Sequence, residues 1–156
     1  LLKSEPAQLE TRISKLLEQQ KQLEKELATL QSRLNAEKSG DLIDQAQEVS
    51  GIKVLATRLD GLDGKKLREM SDQLRDKLPS GVIVLAGENG GKVALLVAVS
   101  KDLTDRLQAG KIISELATEV GGRGGGKPEL AQAGGSEPEH IDRALARTED
   151  VISNLL

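Results

Sequence analysis

The densest chemical signal in this sequence is Gly121-Gly122-Arg123-Gly124-Gly125-Gly126-Lys127-Pro128, continued by Glu129-Leu130-Ala131-Gln132-Ala133-Gly134-Gly135. Five glycines within the six residues 121–126 remove almost every Cβ from the segment. A main chain so stripped reaches φ values closed to other residues, and its N–H groups can converge on an acceptor as a nest. Arg123 and Lys127 set a cation at either end, and the arginine fork suits bidentate contact with a phosphate or a base edge. The bland alternative is steric: the glycines let a helix end abut a strand at a tight crossover. Two nucleotide motifs are excluded. GxxxxGK[ST] fails because Pro128 follows the lysine, and a dinucleotide fingerprint joins a first strand to a helix, whereas these glycines follow a helix.

Little else in the chain could do chemistry. There is no Cys, so disulfides, thiolate metal sites and cysteine nucleophiles are absent together. His140 is the single histidine, set between Glu139 and Asp142 in the first turn of a helix, and one histidine makes a poor metal site. Asp60, Asp63, Glu88 and Asp102 fall at element ends, where carboxylates cap helices or occupy turns. Lys65, Lys66, Arg68, Arg75 and Lys77 make a basic helix face that Asp72 and Asp76 neutralise through i,i+4 pairs as a solvated surface. Phe, Tyr and Trp are all missing. The core is therefore aliphatic, and any nucleic-acid surface works without aromatic stacking, unlike an RRM or a single-strand-binding OB-fold. The net charge of −3 excludes an indiscriminate polyanion binder, so any RNA contact is local.

The elements that position the glycine segment follow from periodicity. From Leu9 to Leu34 apolar residues alternate at spacings of four and three, with Ile13, Gln20, Leu27 and Leu34 at a positions and Leu9, Leu16, Leu23 and Leu30 at d positions. Ser4 and Pro6 suit the start of this helix and Gly40 its end. A coiled-coil seam results, with a partner that is either an identical chain or a helix upstream. Gln20 either fixes register or marks a frayed, solvent-facing stretch. Residues 1–38 form the coiled-coil helix, 39–51 a hinge with one short helical turn, and 52–156 a globular α+β domain. In that domain Ile52–Leu59 reads as a strand and Asp63 caps a helix burying Leu67, Met70, Leu74 and Leu78. Val82–Ala86 and Val93–Val99 read as a hairpin joined at Asn89-Gly90. A second helix covers Leu107–Val120. A closing one runs over Pro138–Leu155, opened by the capping box Ser136-Glu137-Pro138-Glu139. Helices pack on a three- to five-stranded sheet buried on both faces or nearly so. The opening Leu1-Leu2-Lys3-Ser4 is neither an initiator Met nor a signal peptide, which suggests a fragment. No apolar run is long enough to cross a membrane.

Residues 121–135 resemble the signature of the DHH-associated domain as it occurs at the C-terminus of alanine–tRNA ligases. Val99-Ser100-Lys101-Asp102-Leu103 and Ala109-Gly110-Lys111-Ile112-Ile113 resemble the same family, as does a coiled coil leading into an α+β domain. The resemblance implies a small sheet-and-helix sandwich of the DHH-associated type. It also implies a cytoplasmic, non-catalytic module that contacts the elbow of alanine-specific tRNA and oligomerises the parent ligase. The tRNA contacts it implies are Gly122, Arg123, Gly124, Gly125, Gly126 and Lys127, with Lys111 and Gln132 as secondary ones. Self-association falls to Ile13, Leu16, Gln20, Leu23, Leu27, Leu30 and Leu34. The family's ATP, magnesium and zinc belong to upstream domains, so this segment holds no cofactor. A mainly structural dimerisation role is an alternative. A further one is the substrate-binding domain of a DHH phosphodiesterase, but there the glycine motif carries a His, and here Lys127-Pro128 stands in its place.

Overall fold

The computed structural model describes residues 6–156, apart from the side chains at positions 31, 32, 35, 36 and 38. The chain divides into two compact units, residues 1–37 and 38–156. Ser4, expected at the helix start, lies outside the described residues.

The first unit is helical, formed by most of α1 (Pro6–Ile43). Its seam residues Ile13, Leu16, Leu23, Leu27, Leu30 and Leu34 are 54–65% exposed. Among the described residues of this unit nothing buries the leucine stripe. Gln20 donates to Glu24 one turn on, at 3.3 Å.

The junction differs from the expected hinge. The helix passes Gly40 and ends at Ile43, because Ser39 and Leu42 are buried in the second unit and hold the turn in place. Gln47–Val49 then forms β1, antiparallel to β2 (Ile52–Arg58). Ser50 and Gly51 make the connection with φ of 51° and 81°.

The second unit continues through α2 (Gly64–Lys77), β3 (Val82–Asn89), β4 (Lys92–Val99), α3 (Ala109–Glu119), β5 (Arg123–Gly126), β6 (Leu130–Gly135), α4 (Ile141–Ala146) and α5 (Thr148–Leu155). The strands form one six-stranded mixed sheet in the order β1-β2-β3-β4-β6-β5. Only β2 and β3 run parallel, because α2 crosses between them. Asp63 caps α2 as expected, accepting the Lys66 N–H at 2.9 Å. The hairpin of β3 and β4 turns on Gly90 and Gly91, both at positive φ, which leaves Asn89 as the last strand residue.

Alternation along the strands splits the core into two aliphatic layers. Val54, Val82, Val84, Leu95, Val97 and Ala131 belong to the layer that packs on α3, α4 and α5. Leu55, Ile83, Leu85, Leu96 and Ala98 face the other way, onto Leu67, Met70 and Leu74 of α2 and onto Leu42. The central strands β3 and β4 are buried on both faces, as their unbroken apolar runs require.

The closing helix is not continuous. A 3-10 turn over Pro138–His140 leads into α4, and Arg147, at ψ −9°, separates α4 from α5. No capping box forms: the Ser136 hydroxyl donates to the Gly121 carbonyl at 3.4 Å, and no side chain caps the turn. Arg143 and Arg147 both reach Glu119 at the end of α3, which fixes the two short helices against it.

Candidate nucleic-acid interface

The glycine segment is a strand, not a nest. Gly121 alone in it has a positive φ, 63°, where the chain leaves α3. Arg123–Gly126 then pairs antiparallel with β6, Arg123 opposite Gly134 and Gly125 opposite Gln132. An extended main chain points successive N–H groups in opposite directions, so they cannot converge on one anion. Lys127 and Leu130 close the hairpin through reciprocal main-chain bonds of 2.9 and 3.2 Å.

Most of the glycines answer a steric demand. A Cβ on Gly122 would overlap the Gly134 carbonyl group, lying 2.7 Å from its carbon. One on Gly124 would overlap the Ala133 Cβ and lie 2.5 Å from the Ala133 Cα. At Gly126 it would meet the Leu130 carbonyl oxygen at 2.5 Å. The facing residues Ala131, Ala133 and Gly134 are small for the same reason. Gly110, in the first turn of α3, adds a third layer, its Cβ position 3.3 Å from the Gly126 carbonyl oxygen.

Gly125 is different. A Cβ there would meet nothing within 4 Å, and its φ is not positive. The fold does not require glycine at this position. The cross-strand chain Gly125–Gln132–Leu96 places it on the α2 side of the sheet. α2 packs over β3 and β4, and Gly125 is exposed with nothing within 4 Å of its Cβ position, so this outer part of the face is open. Arg123 shares the face by its pairing with Gly134. Arg123 through Lys127 are all exposed, and neither cation has an ion-pair partner among the described residues.

The secondary candidates separate. Gln132 is exposed on the open face and donates through Nε2 to the Gly64 carbonyl at 2.9 Å, tying β6 to the start of α2. Lys111 is exposed in the first turn of α3, on the opposite side of the sheet. His140 joins neither: its Nδ1 lies 2.7 Å from Glu137 Oε2, and that carboxylate stands beside Gly121. Among the described residues no cluster of three or more His, Asp or Glu could hold a metal ion, and no helix is long and apolar enough to cross a membrane.

Two features were missed in the sequence. Arg58 joins three elements through Asp60 at 3.0 Å, Asp142 at 3.1 Å and Glu88 at 4.0 Å. The Glu88 main-chain N–H, and then Arg58, hold the Asp60 carboxyl below its ordinary range. On α2, Arg68 does not pair with Asp72 four residues on, as i,i+4 neutralisation would require. Asp72 instead lies 3.9 Å from Arg75, an i,i+3 pair, and Lys65 and Arg68 have no ion-pair partner among the described residues. Glu69 follows Lys65 by four, the less favourable order for a helical pair.

An α+β sandwich whose glycine strand seals one sheet edge defines the class. Residues 51–154 match the family described as the DHHA1 domain, and the chain belongs to that family. Its particular form is that of the alanine–tRNA ligase C-terminus. Over 145 residues, 93% of this chain, it is 49% identical to the alanine–tRNA ligases of Ralstonia nicotianae and Burkholderia cenocepacia. The chain spans only 16% and 17% of those relatives' lengths. Its fold matches the C-Ala domain of Aquifex aeolicus alanyl-tRNA synthetase with a TM-score of 0.65 and 27% identity. That match covers 69% of this chain and 97% of the other.

The two kinds of glycine separate experimentally. Gly124→Ala is expected to destabilise the chain by about 2 kcal/mol or more through its clash with β6. Gly125→Ala should change stability by less than about 1 kcal/mol. Urea unfolding of both variants checks this, and equal losses would contradict it.

Proposed function

We infer that this chain is a non-catalytic tRNA-binding and self-associating module of an alanine–tRNA ligase. It holds the outer corner of folded, alanine-specific tRNA while upstream domains, with their ATP, magnesium and zinc, perform the chemistry in the cytoplasm. The observation that carries this reading is Gly125. It is a bare position that the fold does not demand, on an open sheet face, with Arg123 beside it and Lys127 at the hairpin end. Without side chains, the main chain can approach a flat base pair or a phosphate closely, and the flanking cations supply local charge that the net balance of −3 does not. The relatives' name, alanine–tRNA ligase, supplies the ligand class.

Arg123→Ala with Lys127→Ala is expected to weaken tRNA binding on the order of tenfold and to flatten its salt dependence. The wild-type chain should prefer folded tRNA to an acceptor-stem minihelix in the same titration. Equal affinity for both RNAs would contradict the reading.

Self-association rests on the exposed leucine stripe of α1. Leu23→Asp or Leu27→Asp should convert the assembly to monomers in sedimentation equilibrium, since a charge in a heptad seam is left without compensation. An unchanged mass would assign the stripe to an upstream helix instead.

A further inference from the structure

The hairpin lies beside the start of α2. The Gln132–Gly64 hydrogen bond ties the start of α2 to β6, and Gly125, opposite Gln132, is exposed next to that junction. Arg68 follows Gly64 by one helical turn and so shares its flank, and Lys65 is its neighbour three residues back. Both are exposed, and neither has an ion-pair partner among the described residues. Both cations lie in the first turns of α2, where the helix dipole does not favour them. Among the described residues the only carboxylate engaged with the helix start is the N-cap Asp63, which accepts the Lys66 N–H. With Lys66 they make the start of α2 a cluster of exposed cations.

The far end of the same helix has the opposite character. Asp72, Asp76 and Asp102 line a depression of about 680 Å³ together with Arg75 and Lys101. Hydrogen bonds from Ser100, and then from Ser80 at 2.6 Å, hold the Asp102 carboxyl below its ordinary range and keep it ionised. Arg75 is already engaged by Asp72. The depression adjoins the strand end where Ala98 pairs with Leu130, so its carboxylates bound the basic start of α2 and limit where a polyanion can lie.

We propose that Lys65 and Arg68 form the second wall of the RNA surface and hold the sugar-phosphate backbone of the same RNA whose outer face rests on Gly125. This rests on the tRNA-binding reading. Lys65 and Arg68 act as point contacts to phosphate, while Gln132 fixes the spacing between the two walls.

The test titrates tRNA into the 156-residue chain at several salt concentrations, with Lys65→Gln/Arg68→Gln beside Arg123→Ala/Lys127→Ala. The α2 pair is expected to weaken binding on the order of tenfold and to reduce the salt slope by about 1–2, the signature of lost phosphate contacts. Thermal unfolding should be unchanged, because both side chains are exposed. Loss of affinity in the hairpin variant with none in the α2 variant would overturn the second wall and leave the tRNA reading standing. If wild type binds no tRNA, both fall. Asp72→Asn/Asp102→Asn should strengthen binding severalfold; weakening would place the RNA at the acidic end and overturn the assignment.

Discussion

The arrangement depends on how closely β5 can lie against β6. With Cβ atoms at Gly122, Gly124 and Gly126 the strand would collide with the main chain of β6, so the hairpin exists only because those atoms are absent. The close approach seals the sheet edge over α3, where Gly110 meets Gly126. It also leaves the other face of the hairpin low and open beside α2. A side-chain-poor edge is therefore first a packing solution. Its availability to a ligand follows from one further bare position, Gly125, and from Arg123 on the same face.

Much of this architecture is legible in the sequence. The apolar runs of β3 and β4, the Asp63 cap and the buried faces of α2 and α3 each follow from a period matched by a local signal. The strands that escape sequence reasoning are those without such a period. β5 and β6 are built from glycine, alanine and single polar residues, types with poor strand propensity, and they are specified by backbone proximity instead. β1 is three residues long and follows a helix that runs past a glycine, because burial of Ser39 and Leu42 outweighs local helix-ending preference.

The site was legible as a stretch of chain and not as a geometry. Composition marked residues 121–127, and all but the half-buried Gly122 are exposed, but the expected nest is replaced by an extended strand over Arg123–Gly126. Sequence distance hid the pairing of Gln132 with Gly64, 68 residues apart, and with it the role of α2. The unpaired state of Lys65 and Arg68 could be suspected only from the order of Lys65 and Glu69 on the helix. Lys111 and Gln132, close to the glycine segment in the sequence, stand on opposite sides of the sheet.

The most direct measurement is amide chemical-shift mapping of the isotope-labelled chain as tRNA is added. The account predicts that shifts concentrate at Arg123–Lys127, Gln132, Gly134 and the start of α2. Shifts confined to β1, α4 and α5, with the hairpin amides unmoved, would contradict it.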